Sequence, residues 1–543
     1  METVNKTIAQ VFAGVVQKNP NNDALIHVEA GARYNYALLA WEVERAAKGF
    51  LKLGITHGQA VAIWAPNIPE WIISLLALAK IGAVAVPVDP GASVEELSFV
   101  LADSRCTAVV TARGPEDEEM VQGVLEAKES APDLTSIIVV ADKTDPEAMV
   151  WSEFTALGTE IDQTSLESAA ALMRPEEPAA IMYTSGTTGR PKGVVLDHLG
   201  LVNKSVYSAQ RQRFGKEDRF CLFFPLYHMF GNTCIALTGL LSGSALIMPS
   251  RVFRPEAALE SMKRQQCTAV FGSPSMFSAL LDNPLSGQKV WKTVKKGTIG
   301  GAPCPVELMK RIVIEMGVSG LVAAWGITEA SSWITMTDPD DPIEMRVGTI
   351  GKALPCSEVK IADPRSGEDL PINTQGELCT RGFLMKSYHG MPAATAAAID
   401  REGWFHTGDL GEIDDQGYVR ITGRLKDVIK RNDVEIFPVE VEEILYGHSK
   451  VSEVQVFGFP DPESGQEVAA WIKAREGSGL TMEEIREFAR KHVPAEKAPH
   501  FFKIVSGYPT TRSGKVQKFK LSELAAIEYG RKDNGAQPLY TCS

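Results

Sequence analysis

At 543 residues the chain exceeds what one hydrophobic core supports, so at least two domains are expected. Hydrophobic residues make up 44% of it, enough for large cores, while a net charge of -13 argues against a nucleic-acid partner, which would need a basic face. Small molecules are the expected ligands.

The opening METVNKTIAQVF is polar and lacks the apolar core of a secretory signal, so a cytoplasmic location is expected. Short Val/Ile/Ala-rich runs follow: AVAIW from Ala60, AVAVPV from Ala83, TAVVT from Thr107 and SIIVV from Ser136. Alternating with helix-like segments up to about residue 420, they predict α/β layers with substantially parallel, doubly buried sheet. WIISLLALAKIGAVAVPV, from Trp71, carries Lys80 and ends in prolines; TCIALTGLLSGSALIMP, from Thr233, is broken by glycines and serines. Both fall short of the roughly 20 clean apolar residues of a spanning helix and read as buried helix feeding buried strand, with no integral membrane segment.

After the strand-like AAIMY comes TSGTTGRPKG, Thr184 to Gly193, with four hydroxyls, three glycines and a lysine. Glycines let backbone N–H groups approach an anion, hydroxyls donate, and Lys192 adds charge, so the loop suits phosphate oxygens. Its spacing differs from G-x-x-x-x-G-K-[ST], which disfavours a Walker-type ATPase or kinase. Farther on stand FFPLYHMFG with His228, GGAP from Gly300, AWGITEAS with Glu329, and WFHTGDLG with Asp409. IDDQGYVRITGR reads as a hairpin around Gly417, and the charged GRLKDVIKR marks a boundary. Beyond it, VSEVQVFGFP and EVAAWIKA read as strands, and TMEEIREFARKHVP as a helix with Thr481 and Glu484 in capping-box spacing, a compact α+β module. The eight cysteines show no Cys-x-x-Cys pair, so neither a disulfide framework nor a zinc site is indicated.

Taken in order, TSGTTGRPKG, GGAP, WGITE, TGDLG and GRLKD resemble the motif series of the AMP-forming acid-activating enzymes: acyl-CoA and aryl-CoA ligases, beetle luciferases and carrier-loading adenylation domains. The resemblance runs along nearly the whole chain. It implies an α/β fold with a large multi-subdomain N-terminal domain, residues 1–424, and a small mobile α+β C-terminal domain, residues 425–543. It also implies a reaction: a carboxylate attacks the α-phosphorus of ATP to give an acyl-adenylate and pyrophosphate, and the thiol of CoA then displaces AMP. ATP, magnesium and CoA are the implied cofactors and co-substrates.

Roles transfer residue by residue. Thr184, Ser185, Gly186, Thr187, Thr188, Gly189 and Lys192 would cradle the β- and γ-phosphates. Thr328 would contact the α-phosphate and Glu329 the metal, for which a hard carboxylate oxygen is suited; a lone Thr-Glu pair would otherwise be a helix start. Asp409 would hold the ribose diol with Arg424 assisting, against the alternative of an Asx-turn. Trp325, where most relatives carry tyrosine, would offer its face to adenine, and Gly301, Ala302 and Pro303 would line adenine and acyl group. Lys515, in PTTRSGKVQK, would place an ammonium on the charge growing at phosphorus. Lys426 matches the hinge about which the small domain rotates so that Lys515 can leave before the thiol enters. For both lysines the alternative is an ordinary surface residue.

His228 matches the aromatic gate between acyl group and thiol tunnel, with a core histidine as the alternative. Asp433 stands where relatives usually have glycine in the tunnel-lining loop, which leaves the acceptor open. Acetate-type relatives close the acyl pocket with tryptophan at Gly326; glycine is expected to leave that path open. With Ala324, Ser331, Ser332 and Trp333 nearby, this suggests a medium- to long-chain fatty acid or an aryl acid. The principal reading is an AMP-forming acyl-CoA synthetase; an aryl-CoA ligase or an enzyme loading an acyl-carrier protein is the alternative, and a non-catalytic binding protein would have lost Lys515 or Glu329.

Overall fold

A computed structural model describes residues 2–113, 118–141, 147–184, 191–302, 304–355, 357–432, 434–510 and 516–529. The four Val/Ile/Ala-rich runs form the strands Ala60–Trp64, Val84–Pro87, Ala108–Ala112 and Ser136–Val140, all mutually parallel where they pair. They are almost wholly buried, as parallel sheet covered on both faces must be. Beside Val84–Pro87 lies Pro178–Thr184, then Lys192–Asp197 running antiparallel, then the short edge strand Ser387–Tyr388. Register sets Thr184 opposite Lys192, so TSGTTGRPKG joins two antiparallel strands near one edge of this eight-stranded sheet.

A second, nine-stranded sheet is parallel through its centre, where Ala269–Gly272, Lys296–Ile299 and Gly320–Ile327 lie in sequence. Ser332–Met336 turns back antiparallel against Gly320–Ile327. The Trp71 segment is the helix Pro69–Ile81, starting on proline and ending at Gly82 with φ +76°, a left-handed cap that needs glycine. It is apolar on every side and shares a core cluster with strands of both sheets, the packing expected of a helix buried between layers. The Thr233 run is likewise buried helix feeding the strand Ala245–Met248, but its first part, Phe230–Leu237, winds as a π-helix. Such turns are rare and concentrate at functional sites.

The expected hairpin is the pair Phe405–Ile413 and Val419–Arg424, turning at Gly417 with φ +83°, in a four-stranded antiparallel sheet. Past the 3-10 turn Leu425–Asp427 a new sheet begins at Ile429–Arg431. It contains Val451–Asp461 and Gly465–Ala474 as an antiparallel pair, with Phe501–Ile504 parallel to the second. The helix Met482–His492 carries the predicted reciprocal cap between Thr481 and Glu484, and its Ile485 and Ala489 enter a core shared with Ile429, Val456 and Ile472. A large mixed α/β part and a smaller α+β domain, each with its own core, thus make up the chain. No helix among the described residues is long and apolar enough to cross a membrane.

Candidate active site

Phosphate-side candidates gather where the two large sheets meet. Thr328 and Glu329 form a 3-10 turn as the strand Gly320–Ile327 ends, with Ser331 at φ +57° and Ser332 at φ +129° forcing the chain back into Ser332–Met336. Positive φ at two successive serines is strained backbone, a feature that clusters at functional sites. Tyr388 donates its hydroxyl to Glu329 Oε1 at 2.9 Å, and Met385 N–H donates to the Glu329 carbonyl at 2.7 Å. Burial and the neighbouring carboxylate push the Tyr388 phenol far up, so it remains a donor. Lys192 begins its strand with the ammonium 4.8 Å from the Tyr388 ring centroid. Ser185, Gly186, Thr187, Thr188 and Gly189 lie outside the described residues.

The ribose candidate is firmly held. Asp409 is 2% exposed and accepts from Arg424 Nε on Oδ1 at 2.7 Å and from Trp325 Nε1 on Oδ2 at 2.8 Å. Register places Asp409 opposite Arg424, which is why the arginine reaches it. A bulge precedes it: Gly408, at φ +70°, donates its N–H to Glu377 Oε1 at 2.9 Å, and the other Glu377 oxygen is 2.9 Å from His406 Nδ1. Glu377 lies outside the quoted motifs and His406 is an unassigned position within WFHTGDLG, yet they fix the turn that aims Asp409.

Two of the expected positions are closely packed. Trp325 is 6% exposed, packed with Ala330, Ile334, Ile361, Leu378 and Val419, and its indole N–H donates to Asp409. A phenol has no ring N–H at that edge, so the departure from tyrosine changes the partner of Asp409. Gly326 is confined by the neighbouring strand. A Cβ there would stand 2.1 Å from the Ser332 carbonyl oxygen and 2.7 Å from Trp333 Cα, so glycine is demanded by the close approach of two strands at a register shift.

At the acyl-side candidate His228 a wall of rings runs in succession: His228 to Phe224 at 5.5 Å, Phe224 to Phe230 at 4.5 Å, and Phe230 to Trp333 at 4.9 Å between centroids. Gly300 lies under this wall, since a Cβ there would come within 2.7 Å of Trp333 Cη2. Gly301, at φ +81°, and Ala302 are exposed beside it, and Pro303 lies outside the described residues. His228 is half-buried where the chain enters the π-helix, and its Nδ1 accepts the Phe230 N–H at 3.1 Å, which puts the proton of the neutral ring on Nε2. The tight entry requires Gly231, whose Cβ would lie 2.1 Å from the Pro225 carbonyl oxygen. Behind the wall Lys204 is fully buried, its ammonium donating to the Trp333 carbonyl and to Ser357 Oγ.

Lys426 is exposed in the 3-10 turn between the four-stranded sheet and the C-terminal sheet. Asn432 adopts φ +50°, a left-handed turn conformation that asparagine tolerates, while its neighbour Asp433 lies outside the described residues. So does Lys515; Thr510 and Val516 on either side of its segment face each other in an isolated bridge.

Comparison with known proteins bears on the family and the fold. Residues 12–389 match the family model of the AMP-binding enzymes, and residues 440–515 match that of the AMP-binding enzyme C-terminal domain. YngI of Bacillus subtilis is 37% identical over 537 residues, covering 96% of this chain and 97% of that protein. The mitochondrial medium-chain acyl-CoA ligase ACSF2 of Rattus norvegicus is 35% identical over 540 residues, covering 96% of this chain and 88% of that protein. Among solved structures, ATP-bound MatB from Rhodopseudomonas palustris superposes with a TM-score of 0.82 at 26% identity, over 96% of this chain and 99% of that one. With both family models, full-length relatives and the fold in agreement, the chain belongs to the AMP-binding enzymes and, among them, to the AMP-forming acyl-CoA synthetases.

Proposed function

We propose that this AMP-forming acid–CoA ligase activates a medium-chain or aryl carboxylic acid, with residues 1–424 binding ATP and acid and residues 425–543 supplying Lys515. The observation that carries the substrate class is the aromatic wall in which Phe224, Phe230 and Trp333 pack behind half-buried His228, making this region apolar, with no exposed cation beside it among the described residues. Lys204 does not change this, because its ammonium is spent behind the wall. The rat relative's name, a medium-chain ligase, supports the same class.

Asp409, oriented by Arg424 and Trp325, accepts the ribose hydroxyls. Thr184 and Lys192 flank the phosphates, and Thr328 contacts the α-phosphate. Glu329 fits a magnesium ion: one of its oxygens is engaged by Tyr388 and the other is a hard acceptor. Magnesium bound there would offset phosphate charge. Lys515 stabilises the charge that accumulates at phosphorus, and rotation about Lys426 then replaces it with the thiol path, in which His228 is the gate and Asp433 a lining residue. The enzyme works in the cytoplasm, with free CoA as acceptor in preference to a carrier protein.

A panel of acids from acetate to long chains, with benzoates and dicarboxylates, assayed for AMP release with and without CoA, tests the reading. Medium-chain or aryl acids should give the highest kcat/KM, with thioester formed in step with AMP. Preference for acetate or a dicarboxylate would overturn the substrate class. AMP release without CoA thioester would favour carrier loading.

A further inference from the structure

Tyr388 stands outside every motif of the series, yet it touches two charged groups of the candidate phosphate end, Glu329 and Lys192. It lies on the edge strand Ser387–Tyr388, with Tyr388 paired to Val194, two residues beyond Lys192 on the neighbouring strand. The residue is 6% exposed. Its hydroxyl donates to Glu329 Oε1 at 2.9 Å, and its ring centroid lies 4.8 Å from the Lys192 ammonium. The strand's flanks are also pinned through the main chain to Glu329 and to Gly193, the residue after Lys192: Met385 N–H donates to the Glu329 carbonyl and His389 N–H to the Gly193 carbonyl, each at 2.7 Å.

A carboxylate free at both oxygens rotates, whereas one fixed through a single oxygen presents the other in one direction; partners of this kind commonly set metal affinity. An ammonium near an aromatic ring is attracted by the ring's electrons while its own N–H groups stay available. One tyrosine therefore meets two needs of a metal–phosphate site, using its hydroxyl for one and its ring for the other. Glu329 sits on a strained turn of one sheet and Lys192 on a strand of the other, so Tyr388 also ties the sheets together at this point.

We infer that Tyr388 is a positioning residue, directing the Glu329 carboxylate toward a divalent cation through its hydroxyl and holding the Lys192 ammonium beside the phosphates with its ring. This rests on Glu329 being the metal ligand, and the test separates the two ideas. Binding is measured without turnover: Mn2+ affinity for the protein saturated with α,β-methylene-ATP, read from the paramagnetic signal of free Mn2+, and affinity for the same analogue in EDTA.

Tyr388→Phe keeps the ring and loses the donor, and should weaken Mn2+ by about 10-fold or more, the usual cost of removing a ligand's outer partner. Its affinity for the analogue in EDTA should be unchanged. Tyr388→Leu removes the ring as well and should weaken the analogue in EDTA too. If Glu329→Gln weakens Mn2+ while Tyr388→Phe stays within about twofold of the parent, the role of the hydroxyl is overturned. If Tyr388→Leu matches Tyr388→Phe in EDTA, the role of the ring is overturned. Unchanged Mn2+ affinity in Glu329→Gln would instead remove the metal assignment itself.

Discussion

Replacing Trp325 by phenylalanine should separate ATP from its deoxy analogue less well. The indole N–H is one of two side-chain donors to Asp409, at 2.8 Å on Oδ2, with Arg424 on Oδ1. Asp409 is 2% exposed, so water cannot readily replace a lost donor. A hydrogen bond to a charged group is worth about 1.5–3 kcal/mol net, and a buried oxygen left unpaired costs a similar amount. At about 1.4 kcal/mol per tenfold, the carboxylate should lose its orientation to an extent that raises KM for ATP roughly 10- to 100-fold. The analogue 2′-deoxy-ATP lacks one of the hydroxyls that Asp409 would accept, so its KM should rise less. The assay is adenylate formation from each nucleotide in parent and Trp325→Phe, with a thermal melt alongside. An unchanged ratio of the two KM values, even with a lowered melting temperature, would show that Trp325 is only a packing residue and that Asp409 does not read the ribose.

Lys515→Ala should slow adenylation by a factor of a few hundred to about a thousand, the loss of about 3–4 kcal/mol of transition-state charge stabilisation, and spare transfer from preformed adenylate to CoA; equal loss in both half-reactions, measured in single turnover, would refute the role. Lys426→Pro fixes φ in the exposed turn Leu425–Asp427 and should do the reverse, leaving adenylation and blocking thioester formation. Gly326→Ala should lower the melting temperature and activity toward all acids together, because its Cβ meets the Ser332 carbonyl; a changed acid preference in a stable protein would instead support an open acyl path at this position. His198 is fully buried with neither ring nitrogen partnered among the described residues, and burial lowers its pKa to about 4 from an ordinary 6.5. Its unfolded form binds a proton first as pH falls, so stability present above about 6.5 should decline down to about 4 and then level off for this group; urea midpoints across that range in His198→Phe should show a shallower slope.

Sheet positions and the C-terminal helix were legible because their causes are local. Val/Ile runs such as AVAIW bury on both faces in any parallel sheet, Thr481 and Glu484 make a reciprocal cap within one turn, and Gly417 serves a tight turn wherever it stands. Motif order likewise made Glu329, Asp409, Arg424 and Lys192 candidates for one site, although they stand on three sheets: Lys192 on the eight-stranded one, Glu329 at a strand end of the nine-stranded one, and Asp409 and Arg424 on the four-stranded one. What distant strands bring together was not legible. Trp325 and Asp409 are 84 residues apart and Tyr388 and Glu329 are 59 apart, so neither hydrogen bond leaves a periodicity or spacing to read. Gly326 is the sharpest case: the sequence by itself determined that no side chain stands there, while the tertiary structure decided why, because only the paired strands show the Ser332 carbonyl 2.1 Å from where a Cβ would be. Backbone contact between strands is a property of register, and register is set by the whole sheet.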